Sequence, residues 1–237
     1  MSNYEYNILP EYSPLYPKLP YEYKDYQKVS VYCRGDVKKL KQFLPKEFEL
    51  ISDIFEVFIL QNNEIEGLDV YSEGGVVIPC AYKGISGACV AFEYVNTDDS
   101  LCAGREIWGY PKKLAEVQFE CNEHMVKGSV QRKGKKVIDI VFERDDQEIV
   151  IPNLSPRLQV KRMPHPEHDG TDINKIIKNE LQNAVLKKQV YGKAQLIMEQ
   201  SAADPLYQLG VKEILGAMYI EGAFTLTYGK VIDEITK

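Results

Sequence analysis

No stretch of this chain approaches the roughly 18 consecutive apolar residues that a membrane-spanning helix needs, so no membrane partner is expected. The opening residues, Met1-Ser2-Asn3-Tyr4-Glu5-Tyr6, lack the basic and apolar regions of a secretory leader. Positive charge is also scarce. Lys and Arg number 29 against 35 Asp and Glu, a net charge of −6, and a chain that gripped phosphates would need a basic surface. A nucleic-acid partner is therefore excluded. The five cysteines (Cys33, Cys80, Cys89, Cys102, Cys121) are odd in number, and none are spaced as Cys-x-x-Cys. That pattern supports neither a disulfide framework nor a zinc site. It fits buried thiols acting as small apolar residues in a reducing cytoplasm. His165-Pro166-Glu167-His168 holds two of only three histidines, but proline breaks the helix that a two-histidine metal motif uses. A surface loop is expected there. Gly-x-Gly-x-x-Gly, Walker and Gly-x-Ser-x-Gly motifs are all absent, so the sequence gives no support to nucleotide binding or a serine nucleophile.

What is present is a chain of 237 residues, 44% apolar, enough for one large domain with a sizeable core. Residues 1–26 carry seven tyrosines and four prolines, a composition that blocks helix and reads as an extended arm. The arm either lies over the domain or buries its amphipathic aromatics in a subunit interface. Residues 27–237 form the domain proper. Alternation over Val29-Ser30-Val31-Tyr32-Cys33 predicts the first strand. Asp36 is placed to cap a short helix bearing Leu40, Phe43 and Leu44 on one face, and Pro45 stops it. From about residue 55 to 142 short apolar runs alternate with turn residues, and Lys133-Gly134-Lys135 reads as a hairpin turn. Ile173, Ile176, Ile177, Leu181, Ala184 and Val185 carry helical spacing, so a helix, or a short helix followed by a strand, is expected there.

The stretch most suggestive of chemistry is Gly104-Arg105-Glu106-Ile107-Trp108-Gly109-Tyr110-Pro111-Lys112-Lys113-Leu114. Its two lysines sit among apolar, aromatic and glycine residues. A free lysine titrates near 10.4. Burial can lower that by about 3–5 units, and a neighbouring cation acts in the same sense. A neutral amine in a dry pocket would attack a carbonyl. The bland alternative is a solvated turn after Pro111.

The same stretch resembles the signature of the acetoacetate decarboxylase family. Tyr71-Ser72-Glu73-Gly74-Gly75 with Ile78-Pro79, then Pro152-Asn153, Lys161, Pro164, Asp169-Gly170, Pro205-Leu206 and Val211-Lys212-Glu213-Ile214, continue the resemblance over residues 18 to 232. It implies a β-rich α+β domain with a closed, mostly antiparallel β-barrel around Lys112. It also implies a lyase that uses neither metal nor organic cofactor, assembled as a homo-oligomer. Lys112 then becomes the nucleophile that forms an imine with a small oxo acid. Lys113 is the second lysine, either a charge neighbour or a structural residue; because adjacent side chains on an extended segment point to opposite faces, burial is expected to dominate. Glu73 becomes the pocket glutamate that orients substrate or moves a proton. Arg105 and Glu106 would form a buried or half-buried pair bracing the lysine strand, and Tyr110 and Trp108 would wall the pocket.

Family decarboxylases also hold an arginine and a second glutamate. An ungapped count places Tyr26 at the former position and Phe58 at the latter, so two charges are expected to give way to two aromatics. Three readings stay open: decarboxylation of a β-keto acid such as acetoacetate, aldol or dehydratase chemistry on a 2-oxo acid through the same lysine, and a small-molecule binder without turnover.

Overall fold

The computed structural model describes residues 12–145 and 148–235. Strands dominate: β1 (Tyr21–Arg34), β2 (Glu49–Leu50), β3 (Ile54–Glu66), β4 (Ser72–Tyr82), β5 (Ile85–Val95), β6 (Lys112–Leu114), β7 (Glu116–Cys121), β8 (Met125–Arg132), β9 (Lys135–Arg144), β10 (Arg157–Pro164), β11 (Thr171–Asn179), β12 (Gln182–Ile197), β13 (Glu213–Leu226) and β14 (Lys230–Glu234). Among the described residues, helix is confined to α1 (Val37–Gln42), α2 (Asp98–Ala103), a π-helical turn over Gly104–Trp108 and a 3-10 turn over Leu206–Leu209. Asp36 caps α1 as expected, accepting from the amides of Lys38 and Lys39.

All the strands belong to one sheet, whose main path runs β14-β11-β10-β5-β4-β3-β1-β13-β12-β9-β8-β7, with β2 and β6 off it. The expected closed barrel is not formed, because among the described residues no pairing joins β14 to β7. The sheet is also mixed, since β5 pairs in parallel with both β6 and β10. With so little helix, the α+β description gives way to a mostly-β one. The sheet instead folds back on itself. Gly128 of β8 comes so close to β3 that a Cβ would sit 2.9 Å from Ile59 Cδ1.

That folding gives the sheet two occupied faces. On β1, β3 and β4, Val29, Val31, Val57, Ile59, Val76 and Ile78 turn into one core with residues of β8 and β9. Their alternates turn the other way, as the two-residue period of a strand requires. Phe58, Leu60 and Val77 pack there with Val90 of β5. The segment with helical spacing is strand throughout its described elements, β11 and the start of β12. Its isoleucines satisfy a helical template, but β-branched residues suit a pleated sheet, and pairing with β10 and β14 decides. Residues 21–26 of the tyrosine-rich arm are the first part of β1, with Tyr21 and Tyr23 buried. Residues 1–11 lie outside the described residues.

Candidate active site

On the second face of the sheet lies a cavity of about 400 Å³. Strands β1, β3, β4 and β5 line it, together with the π-helical turn, residues 151–155 and Phe224 of β13. Lys112 enters from β6. The turn before it ends at Gly109, whose φ of 83° lies in the left-handed region. A side chain there would also strike the Lys161 backbone at 2.6 Å, so glycine is required by both conformation and space. Gly104 leaves room for the lysine stem: a Cβ on it would lie 2.6 Å from Lys112 Cδ and 2.8 Å from Cε.

Lys112 is only 7% exposed. Its Nζ donates to Glu73 Oε2 at 3.0 Å and lies 5.1 Å from the centre of the Tyr71 ring. Glu93 is its neighbour across the parallel β5–β6 pair. On the other side of β5, Glu93 stands opposite Gly75, two residues from Glu73. One cation and two carboxyls therefore share one patch of sheet.

A bulge puts Glu93 there. Val76 pairs with Phe92 but Val77 pairs with Val90, leaving Ala91 as an extra residue on β5. The slip lets Val90 and Glu93 both line the cavity while Cys89 and Tyr94 both enter the core. Bulges re-aim side chains in this way.

The electrostatics overturn the expectation of a neutral amine. Burial does push Lys112 towards neutrality, but Glu73, Glu93 and the Tyr23 phenol outweigh it, and the amine titrates above its ordinary range. Beside these carboxyls the amine is favoured as an ammonium. Glu93 takes the opposite course: burial raises its carboxyl to about 8, opposed by Lys112 and Arg157 and reinforced by Glu73.

Lys113 points away from the cavity, as adjacent residues on a strand must. Its Nζ reaches Asp204 Oδ1 at 2.7 Å, and Asp204 also takes the Tyr94 hydroxyl at 3.1 Å. Arg105 and Glu106 are exposed rather than paired in the interior. Arg105 Nη1 donates to the Lys112 carbonyl at 3.0 Å, and Glu106 accepts from the Tyr16 hydroxyl. Trp108 and Tyr110 both line the cavity, anchored by Trp108 Nε1 donating to Thr227 O at 3.1 Å and Asn179 Nδ2 donating to the Tyr110 hydroxyl at 3.2 Å.

Tyr26 and Phe58 line the cavity too, but the expected loss of charge does not follow. Glu56, two residues before Phe58 and on the same strand face, is buried and accepts from Lys28 Nζ and Ser30 Oγ, each at 2.6 Å. Arg157 of β10 approaches its other oxygen at 3.8 Å. Burial pushes the Glu56 carboxyl up, yet Lys28 and Arg157 hold it below the ordinary range. Lys28, Glu56, Glu93 and Arg157 were missed in the sequence, although two signals were available. Glu93 interrupts an apolar strand, and Lys28 and Glu56 stand two residues from positions already assigned to the pocket wall. Among the described residues no group of His, Cys, Asp and Glu could hold a metal, and His165 and His168 stack on one another at 3.8 Å in a loop. No helix of the described residues is long and apolar enough to cross a membrane.

A model of acetoacetate decarboxylase (ADC) matches residues 9–235. The chain belongs to the acetoacetate decarboxylase family. It is 29% identical over 232 residues to acetoacetate decarboxylase 2 of Mesorhizobium japonicum, covering 95% of this chain and 88% of that one. Identity to acetoacetate decarboxylase of Acidiphilium cryptum is also 29%, with 95% and 94% covered. The fold is that of the family. The acetoacetate decarboxylase structure from Legionella pneumophila superposes with a TM-score of 0.86 at 23% identity, covering 95% of this chain and 92% of that one. The enduracididine biosynthesis enzyme MppR, in complex with the condensation product of pyruvate and imidazole 4-carboxaldehyde, superposes with a TM-score of 0.84 at 15% identity, covering 100% and 99%.

Proposed function

We propose that this protein is a Schiff-base-forming carboxy-lyase that decarboxylates a small β-keto acid of the acetoacetate type through Lys112. The observation that carries the reading is a buried lysine amine lining a cavity, with a carboxylate 3.0 Å away. An ammonium cannot attack a carbonyl, so the first step is proton transfer to Glu73. In a buried site this exchange replaces two charges with a neutral pair, which burial favours for each partner. The free amine adds to the ketone, water departs, and a protonated imine remains. The carbon–carboxylate bond then breaks, its electrons flow into the imine as an enamine, and carbon dioxide leaves. Glu73 returns its proton to carbon, and hydrolysis frees the ketone and the lysine.

The cationic side chains Lys28 and Arg157 line the same cavity and outnumber Glu56 beside them, which favours an anionic substrate. A second reading has one observation behind it: MppR, of like fold, binds a product of pyruvate condensation. Aldol or dehydratase chemistry on a 2-oxo acid would use the same imine. Borohydride reduction in the presence of acetoacetate, followed by mass spectrometry of the peptide bearing Lys112, tests both imine routes against a binder without turnover. Carbon dioxide release from acetoacetate then supports decarboxylation. Its absence, with pyruvate and an aldehyde condensing instead, would favour the second reading.

A further inference from the structure

We propose that Glu93 is a catalytic acid of this site, giving its proton to the departing hydroxyl when the Lys112 adduct loses water and recovering it when the imine is hydrolysed. The inference rests on the imine reading but on neither of its branches, because dehydration of the adduct precedes both decarboxylation and aldol chemistry.

The geometry separates the two carboxyls beside Lys112. Glu73 is hydrogen-bonded to the amine. Glu93 is 5% exposed, and its Oε2 is buried without a hydrogen-bond partner. A buried carboxylate oxygen left unpaired is costly when ionised, and the Lys112 ammonium is hydrogen-bonded to Glu73. Of the two carboxyls, the unpaired one, Glu93, is the one that burial favours in its protonated form. Its carboxyl, raised to about 8 by burial, then holds a proton at neutral pH with no protein acceptor for Oε2. The charged and titratable groups acting on it among the described residues are Glu73 from β4, Lys112 from β6, Arg157 from β10, and the phenols of Tyr71 and Tyr110. Where two carboxyls are pushed apart in this way, the ionised one serves as base and the neutral one as acid.

The proton count closes. Glu73 takes a proton from the Lys112 ammonium, and the free amine adds to the carbonyl carbon. A proton moves from nitrogen to oxygen, giving a neutral carbinolamine. Glu93 protonates the hydroxyl, the carbon–oxygen bond breaks, and water leaves an iminium beside the Glu93 carboxylate. In the reverse step the carboxylate removes a proton from the water that attacks the iminium, and Glu93 is again neutral.

The test is oxygen exchange. A ketone that forms and hydrolyses an imine trades its carbonyl oxygen with solvent, whether or not any carbon bond breaks. Acetone and pyruvate are incubated in ¹⁸O-water with wild type, Glu93→Gln and Glu93→Met, from pH 5 to 9, alongside borohydride trapping at Lys112. Wild type is expected to exchange, with the rate falling above about pH 8 as the acid form is lost. Glu93→Gln, which keeps the shape but has no proton to give, is expected to be slower by about 10²-fold or more, without that upper limb. Glu93→Met guards against failure of one variant to fold. Exchange by the folded variants within threefold of wild type overturns the proposal. A slower variant that keeps the limb also overturns it, since Glu93 would then only position Lys112. If wild type itself gives neither exchange nor adduct, the imine reading falls first.

Discussion

Lys112 Nζ donates to Glu73 Oε2 at 3.0 Å, whereas Lys113, the next residue, reaches Asp204 on the opposite side of the strand. The pocket is therefore governed by a lysine–glutamate pair rather than by two adjacent lysines. Glu73→Gln removes the base that receives the ammonium proton and the donor that returns it to carbon. The expected loss in kcat/KM is about 10²–10⁴-fold. Because Glu73 is the largest influence raising the amine, the variant lysine should also titrate lower. Rates of borohydride trapping against pH will read both effects; an unchanged profile counts against the pair.

Lys113→Ala tests the converse. If Lys113 does not tune the nucleophile, the pH profile of imine formation should match wild type. Stability should fall by about 1.5–3 kcal/mol, the worth of a hydrogen bond to a charged group. Asp204 is fully buried and keeps Arg132 at 3.3 Å and the Tyr94 hydroxyl, which argues for the lower end. Urea unfolding measures the loss. A displaced pH profile with stability unchanged would restore a role for repulsion between the lysines.

Gly104→Ala should impair activity more than folding. Gly104 has a right-handed backbone, with φ of −60°, so alanine meets no conformational strain. The added methyl strikes the Lys112 stem instead, at 2.6 Å. Overpacking of this kind costs about 1–3 kcal/mol, and a shift of about 1 Å in a reacting group can cost about 10²-fold in rate. Trapping at Lys112 should fall by that order while the variant stays folded. Wild-type trapping would mean the stem has room that the structure does not show.

Local pattern and recognisable motifs made some of this legible and not the rest. Asp36 and α1 could be read because a cap acts within three residues. The two-residue period over Val29 to Cys33 told which residues of β1 share a face, but not that both faces would be occupied. Tyr26 and Phe58 were placed by the ungapped count against the family's charged positions, while Lys28 and Glu56 on the same faces were passed over. Closure of the sheet could not be read either. It depends on whether strands far apart in the chain pair, and β14 and β7 do not. Glu93 visibly interrupts an apolar strand, but the bulge at Ala91 breaks the alternation that would have told which face it takes. The charge of Lys112 was misjudged because desolvation was weighed and the pull of Glu73, already named as a pocket residue, was not, while Glu93 beside it went unseen.

Glu93 should leave a mark on stability as well as on rate. Its ordinary carboxyl value is 4.5 and its folded value about 8. Between those limits the folded state binds a proton that the unfolded state has lost, so stability falls as pH rises, by about 1.4 kcal/mol per unit for one proton. Other groups act elsewhere. Glu56, held low by its cations, adds stability that is lost only as pH falls below its ordinary value of 4.5. Lys112, held high, adds stability that is lost only above its ordinary value of 10.5. The window from about 4.5 to 8 thus belongs mainly to Glu93. Glu93→Gln should flatten the decline there and melt higher than wild type at pH 8, with the two converging near pH 5. Thermal melts at half-unit intervals test it. Parallel curves for the two proteins would mean that Glu93 ionises normally in the fold and has no proton to give.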